Sequence, residues 1–181
     1  MTSPAGPPIP RPDPIPDFVM TPEMVAIWEN LGVANVYITG RAGTGKSTLI
    51  KQYHATTKRQ VAIVAPTGTA ALNAGGVTIH SFFHFKPGIQ PKEAAQIRPN
   101  DPELFQKLES LVIDEASMVR ADLLDCVEAF LRRNGPRPGQ PFGGVAIMLV
   151  GDLYQLEPVC PREESLLLRH YSSPFFFSSS A

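Results

Sequence analysis

The chain has 181 residues, of which 43% are hydrophobic, enough to bury the core of one compact domain. Its formal net charge is −1 and its pI is about 6.4, which excludes a protein that holds nucleic acid through an overall basic surface. No apolar run approaches the roughly 18 residues that cross a bilayer. The N-terminus lacks the basic stretch and apolar core of a secretory signal. We therefore expect a soluble, intracellular protein without a membrane partner.

The first 20 residues are dominated by proline, and we predict that they form a disordered arm. Proline cannot donate to a hydrogen-bonded ladder and favours extended polyproline II backbone. The ordered domain is predicted over residues 21–181 and begins with a helix. Thr21 is a suitable N-cap, Pro22 suits the first helical position, and Gly32 ends the helix.

Short β-branched runs alternate with helical stretches along the rest of the chain. Strands that are apolar on both faces are predicted at 36–39, 61–64, 111–113 and 145–150. Helices are predicted at 46–56, 69–74, 104–108 and 121–133. Such strands are typical of a parallel sheet that is covered by helices on each side. The sequence therefore predicts an α/β fold in three layers, with a long surface excursion at 86–101.

A glycine-rich turn after the first of these strands carries the strongest motif. Residues 40–47 read GRAGTGKS and match the P-loop pattern G-x-x-x-x-G-K-[ST] in full. Glycines let the backbone N–H groups point at phosphate oxygens, and the helix N-terminus adds partial positive charge. Lys46 is predicted to reach the β- and γ-phosphates, and Ser47 to place its hydroxyl on Mg²⁺. The predicted nucleotide contacts are Gly40, Ala42, Gly43, Thr44, Gly45, Lys46, Ser47 and Thr48.

Polar side chains at the ends of two later strands are predicted to complete this site. Asp114 and Glu115 directly follow the third strand. We expect Asp114 to hold the Mg²⁺ ion with Ser47, and Glu115 to act as general base towards the attacking water. Gln155, after the fourth strand, can both donate and accept, so it is predicted to contact the γ-phosphate or that water. The predicted catalytic residues are Lys46, Glu115 and Gln155.

Four strings of sequence, taken together, are more selective than the P-loop alone. They are ITGRAGTGKST, APTGTAALNAGGVTIHSFF, LVIDEASMV and PFGGVAIMLVGDLYQLEPV. In this order and spacing, over roughly residues 21–160, the chain resembles the Pif/RecD-like group of superfamily-one DNA helicases. The resemblance implies a RecA-like P-loop fold, hydrolysis of ATP with Mg²⁺, and 5′-to-3′ translocation on single-stranded DNA. It also implies roles in DNA repair, recombination and telomere maintenance, in the nucleus or mitochondrion of a eukaryote or the cytoplasm of a bacterium.

The resemblance places the path of single-stranded DNA along residues 65–83. Hydroxyls, backbone N–H groups and a helix N-terminus in this segment suit phosphates. His80 and Phe82 could stack on bases, and the core of the domain is the alternative place for Phe82. The predicted DNA contacts are Pro66, Thr67, Gly68, Thr69, Thr78, His80 and Phe82.

Two residues depart from the family pattern. Family members usually carry a glutamine in the opening helix that reads the adenine base, and Met24 stands there instead. Methionine packs on a purine but cannot hydrogen-bond its edge, so selectivity for ATP over other triphosphates stays open. Glu157 stands where a proline is usual, and we expect little effect of this change on phosphate chemistry.

The resemblance also implies a second RecA-like domain, whose arginines contact the γ-phosphate. Residues 156–181 are too few for such a domain. Arginine fingers contribute about 10³–10⁵ in rate in related phosphoryl-transfer enzymes. We therefore expect this chain alone to bind nucleotide weakly, to hydrolyse it very slowly and not to unwind DNA. Two alternatives stay open: another P-loop enzyme, such as a small-molecule kinase or transport ATPase, and a non-catalytic nucleotide-binding module.

Overall fold

Strands and short helices alternate along the residues that the computed structural model describes, which are 11–41, 43–154, 158 and 171–181. The described strands are β1 Val36–Thr39, β2 Val61–Ala65, β3 Val77–Thr78, β4 Ser110–Ile113 and β5 Ala146–Gly151. The described helices are α1 Pro22–Trp28, α2 Lys46–Thr56, α3 Gly68–Ala74, α4 Ile79–Phe83, α5 Pro91–Ala94, α6 Pro102–Lys107 and α7 Ala121–Asn134. None of these helices combines the length and the apolarity that a membrane span requires.

All the described strands run parallel in one sheet, in the order β1-β5-β4-β2-β3. The carboxyl ends of parallel strands share one edge of the sheet, where ligand groups collect. The register sets Thr39, the last residue of β1, opposite Gly151, the last residue of β5. The P-loop, the acidic pair after β4 and the predicted DNA segment after β2 therefore all begin at the same edge.

Both faces of the sheet are apolar, because successive residues of a strand point to opposite sides. On one side Val64, Leu111 and Ile113 belong to a buried cluster with residues of α4, α6 and α7. On the other side Ile63 and Val112 belong to a cluster with residues of α2 and α3, and α1 packs against it. The predicted three-layer α/β, RecA-like architecture is confirmed.

The stretch 86–101, which the sequence predicts as a surface excursion, is instead anchored to the core. It contains α5, and it buries Ile89 and Ala94. The carboxylate of Glu93 accepts the backbone N–H of Gln90 at 3.0 Å, as part of a capping box. The prolines here suggest a loop, but proline is also well suited to the first turn of a helix, where α5 has it.

Arg11 lies against the C-terminal end of α2, and the backbone N–H of Ile15 donates to Gln52 Oε1 within that helix at 2.8 Å. The guanidinium of Arg11 donates to the carbonyl oxygens of Thr57 and Arg59, at 2.7 and 2.9 Å. A cation here complements the partial negative charge of the helix terminus. The disordered arm that the proline content predicts over residues 1–20 stays a prediction. Residues 1–10 lie outside the described part of the chain.

Candidate functional site

The P-loop lies between the carboxyl end of β1 and the start of α2. Gly43 and Gly45 have φ values of +78° and +84°, a left-handed backbone that residues with side chains rarely adopt. Gly45 is also the N-cap of α2, and without a side chain it cannot occupy the first amides of that helix. These amides are therefore available to an anion, as the motif predicts. Ala42 lies outside the described residues.

The Lys46 ammonium is held inside this loop. Its Nζ donates to the carbonyl oxygen of Gly40 and, at 2.9 Å, to that of Arg41. Both acceptors belong to the loop that is predicted to surround the phosphates, so the positive charge lies at the phosphate cradle. The flexible stem of lysine lets the ammonium exchange these carbonyl oxygens for phosphate oxygens.

A cavity of about 320 Å³ opens beside the loop, and we call it the nucleotide cavity. Its lining residues are Gly43, Thr44, Gly45, Lys46, Ser47, Thr48, Asp114, Glu115, Gly151 and Asp152. Three strand ends contribute to it: β1 through the P-loop, β4 through the acidic pair, and β5 through its last residue and the next. The fold thus brings the phosphate loop and both predicted acids into one space.

Asp114 and Glu115 lie at the sharp turn that ends β4. Asp114 is 9% exposed, and its Oδ1 accepts the backbone N–H of Glu115 at 3.0 Å. Glu115 is half-buried and has a φ of +51°, a left-handed backbone that is uncommon for a residue with a side chain. A single 3₁₀ turn, Ala116–Met118, follows directly. This abrupt end of the strand keeps both carboxyl groups at the cavity.

Burial raises the pKa of both carboxyl groups. For Asp114, loss of hydration is the largest cause, and the hydrogen bond from Glu115 and the charges of Lys46 and Lys51 oppose it. For Glu115, loss of hydration again raises the pKa most, the negative charge of Asp114 raises it further, and Lys46 opposes both. A carboxylate with a raised pKa accepts a proton more readily, which suits the general base predicted for Glu115.

The donors of the nucleotide cavity fit Mg²⁺. Ser47 offers a hydroxyl oxygen and Asp114 a carboxylate, and both line the same space. Mg²⁺ prefers hard oxygen ligands, keeps several waters, and is usually held by one or two carboxylates together with substrate phosphates. These two residues therefore suit a cation that arrives with a triphosphate.

Asp152 is a residue of the site that the predicted set lacks. It is 6% exposed, lines the nucleotide cavity, and accepts the backbone N–H of Tyr154 at 3.0 Å. Its position at the end of an apolar strand, the signal that identified Asp114, could have identified it too. Gln155 and Glu157 lie outside the described residues, and the role predicted for Gln155 stays a prediction.

Met24, which stands at the predicted adenine-reading position, lies against the P-loop. A Cβ atom at Gly45 would lie 2.7 Å from Met24 Cε, so the end of the methionine side chain contacts the loop there. Thr21 fixes the start of α1, because its hydroxyl accepts the backbone N–H of Met24 at 3.3 Å. Met24 offers the site an apolar, polarisable surface without a hydrogen-bond donor.

Two threonines of the predicted DNA segment cap helices. The Thr67 hydroxyl accepts the N–H of Ala70 at the start of α3, at 3.2 Å. The Thr78 hydroxyl accepts the N–H of Ser81 at the start of α4, at 3.1 Å. Such caps satisfy amides that the helix leaves unpaired. Each hydroxyl keeps its own hydrogen, which can donate to a phosphate oxygen.

Phe82 belongs to the core, which corrects its place among the predicted DNA contacts. It is 8% exposed, and its ring packs edge-on against Phe83 and Phe105, with centroid distances of 4.9 and 5.2 Å. Phe130 extends the same cluster from α7. Stacking on a base needs an accessible ring face. Of the two alternatives for Phe82, the structure shows core packing.

A second cavity, also of about 320 Å³, lies at the same edge of the sheet. Its lining residues are Pro66, Thr67, His80, Pro87, Gly88, Ile89, Met118, Arg120, Asp122 and Leu123. Three predicted DNA contacts, Pro66, Thr67 and His80, line it together with residues from the stretch 118–123, which follows Glu115 along the chain. Gly68 and Thr69, also predicted to contact DNA, are exposed at the start of α3. Because four separate segments supply the lining, no single sequence motif predicts this cavity.

Comparison with known sequences gives one consistent family. Residues 22–170 match the family model described as PIF1-like helicase. The chain is 40% identical over 134 residues to the ATP-dependent DNA helicase PIF1 of Saccharomyces cerevisiae (strain YJM789), which covers 69% of this chain and 16% of that protein. It is 39% identical over 129 residues to the Homo sapiens protein of the same name. This match covers 69% of this chain and 20% of that protein. The chain spans about a fifth of the length of these curated relatives.

Solved structures have the same fold. Bacteroides Pif1 bound to ssDNA matches with a TM-score of 0.81 at 40% identity, over 91% of this chain and 39% of that chain. Bacteroides sp Pif1 in complex with ADP-AlF4 matches with the same four values. Pif1 helicase from Candida albicans matches with a TM-score of 0.71 at 31% identity, over 90% of this chain and 37% of that one.

Proposed function

Because this chain belongs to the PIF1-like helicase family, we propose that it is the nucleotide-binding motor domain of an ATP-dependent DNA helicase. The domain binds ATP with Mg²⁺, hydrolyses the triphosphate, and couples hydrolysis to 5′-to-3′ movement along single-stranded DNA. The observation that carries this proposal is the meeting of Lys46, Asp114 and Glu115 with the phosphate loop in one cavity. The relatives, named as ATP-dependent DNA helicases, support it.

The P-loop and Lys46 bind the triphosphate tail in this proposal. Backbone N–H groups at the start of α2 donate to phosphate oxygens, and they need no rearrangement to do so. The Lys46 ammonium neutralises the charge that develops on the transferred group. Ser47 and Asp114 would hold Mg²⁺, which when bound would supply further neutralisation of the triphosphate charge.

Glu115 acts on the attacking water. Its carboxylate accepts the proton of that water, and the raised pKa strengthens it as a proton acceptor at neutral pH. The half-buried position removes part of its hydration, which strengthens its electrostatic interactions with the reacting groups. Gln155 orients the same water or the γ-phosphate through its amide.

Single-stranded DNA is the proposed second partner. Exposed backbone at Gly68 and Thr69 and the two capping threonines lie next to one another on the carboxyl edge of the sheet. A neighbour of the same fold is described as bound to ssDNA. Arginines of a second RecA-like domain complete the nucleotide cavity in this proposal. A motor of this kind works inside the cell, in the nucleus or mitochondrion of a eukaryote or the cytoplasm of a bacterium.

Nucleotide binding tests the proposal most directly. Titration of a fluorescent ATP analogue with Mg²⁺ is expected to show binding that Lys46→Ala weakens about 10–100-fold, the loss expected for charged hydrogen bonds to phosphate. The matched control is Lys58→Ala, which removes an exposed lysine just beyond the C-terminal end of the same helix. Equal affinities for the wild type and Lys46→Ala, or equal losses in both variants, would contradict a phosphate role for Lys46.

A further inference from the structure

The second cavity has walls that the proposed phosphate contacts do not explain. Pro87, Ile89, Met118 and Leu123 give it an apolar wall beside its polar residues. Phosphate contacts need donors and cations, whereas these side chains offer dispersion and hydrophobic contact. Building on the proposed DNA partner, we infer that the second cavity receives one unstacked base of the bound single strand.

The charges in the cavity favour an uncharged occupant. Arg120 and Asp122 form a bidentate ion pair, from Nε to Oδ1 at 2.9 Å and from an Nη to Oδ2 at 2.7 Å. Their side chains are only 14% and 4% exposed. The pair carries no net charge, so a phosphate entering here would lose its hydration without gaining an uncompensated cation. A base loses much less on entry, because it is neutral.

The polar groups of the cavity suit the edge and the face of a base. Each carboxylate oxygen of Asp122 has a further lone pair beyond its bond to Arg120, and every DNA base carries at least one N–H donor. The imidazole of His80 is flat and half-buried, and the thioether of Met118 is polarisable, so both suit contact with an aromatic ring. A volume of about 320 Å³ lies within the range of small-molecule pockets.

The position of the cavity gives such a base a connection to hydrolysis. Met118 ends the 3₁₀ turn that begins directly after Glu115. That turn packs closely on β5, since a Cβ atom at Gly151 would lie 3.1 Å from the backbone nitrogens of Ala116 and Ser117. A base that presses on Met118 therefore acts on a short, tightly packed segment whose other end carries the general base.

The test separates base contacts from phosphate contacts. Fluorescence anisotropy compares labelled oligothymidine with an abasic oligonucleotide of the same length, which keeps every phosphate. Wild-type protein is expected to bind the base-bearing strand about tenfold more tightly, since one base contact of this kind contributes about 5- to 150-fold. Met118→Trp fills the cavity, so we expect about a tenfold loss on oligothymidine and no loss on the abasic strand.

Two further variants serve as a control and as a second test of the base contact. Leu104→Trp adds the same ring at an exposed position on α6, which leads into the opposite end of β4, and it is expected to change neither affinity. His80→Ala removes a ring from the cavity wall, and about a threefold loss on oligothymidine alone is expected. Thermal unfolding checks that each variant is folded. If Met118→Trp is not folded, the comparison of the two strands is made with His80→Ala.

The outcomes are distinct for the cavity and for the proposed function. Equal wild-type affinity for the two strands would overturn the base cavity while leaving DNA as a partner. Equal losses on both strands in Met118→Trp and His80→Ala would also overturn it, because they would indicate phosphate contacts. Binding of neither strand at low salt would overturn the proposed DNA partner itself.

Discussion

The two cavities at the carboxyl edge of the sheet are similar in volume and differ in how the chain builds them. One continuous loop and two strand ends supply the nucleotide cavity. Four segments, spread from Pro66 to Leu123, supply the second. A short motif predicts the nucleotide cavity, because one local backbone shape creates most of it. No motif predicts the second cavity, because segments distant in sequence form its walls.

Their charges differ as well. The nucleotide cavity sets the ammonium of Lys46 beside carboxyl groups whose pKa burial raises, so it is suited to a polyanion that arrives with a cation. The second cavity contains a cation already paired with the carboxylate of Asp122. The two cavities therefore differ in the distribution of charge rather than in size, and the two ligands that we propose for them follow from that difference.

The largest expected effect tests the chemistry of the nucleotide cavity. Glu115→Gln keeps the shape of the side chain but cannot accept a proton. The slow ATP hydrolysis that we expect of this chain, followed over long single-turnover incubations with single-stranded DNA, should therefore fall by a further factor of about 10²–10⁴. Affinity for a fluorescent ATP analogue should stay within about threefold. Glu109→Gln, at the exposed opposite end of the same strand region, is the control. A matching loss of affinity in Glu115→Gln would contradict the role of general base.

A smaller effect sharpens the assignment of Phe82 to the core. Phe82→Leu keeps an apolar side chain in the aromatic cluster, so the free energy of unfolding in urea should fall by up to about 1.5 kcal/mol. Affinity for oligothymidine should change by less than about twofold, because the ring face is enclosed. Phe177→Leu, at a side chain that is 59% exposed, should cost at most about 0.5 kcal/mol. Weaker DNA binding by Phe82→Leu with unchanged stability would contradict the core assignment and support Phe82 as a DNA contact.

The smallest expected effect is on the thermal stability of the folded protein, which the buried Asp114 influences. Burial raises the pKa of Asp114 in the folded state, so its ionisation reduces stability as the pH rises from the ordinary value of 3.8 through the raised pKa. Asp114→Asn cannot ionise and keeps an oxygen for the N–H of Glu115. Its thermal midpoint without nucleotide should exceed that of the wild type at neutral pH, and the difference should shrink in acid.

The same substitution should weaken Mg²⁺-dependent nucleotide binding, because a neutral amide is a poorer ligand for the cation. A thermal midpoint that falls at every pH would show that the Asp114 carboxylate stabilises the fold, which would contradict the predicted cost of burying it. Thermal scans and nucleotide titrations on the same samples measure both quantities.

Much of the fold was predictable because its signals are local. β1 and α2 have the bounds that the sequence predicts, since a β-branched run and a P-loop define them. The short strand β3 and the helix α4 were not predicted, because two or five residues carry too little periodicity. The helix α5 was missed because its proline reads equally well as a loop.

The sequence by itself identified the glycine-rich loop, the lysine and the strand-end acids that we propose act on a triphosphate. Those roles follow from backbone shape and residue type over a few neighbouring positions. Only the tertiary structure decided that Asp152 lines the nucleotide cavity, that Phe82 is enclosed, and that Met118 and Arg120 share a cavity with His80. Such proximities depend on how the strands are ordered and how helices pack on the sheet, and that order is a property of the whole chain.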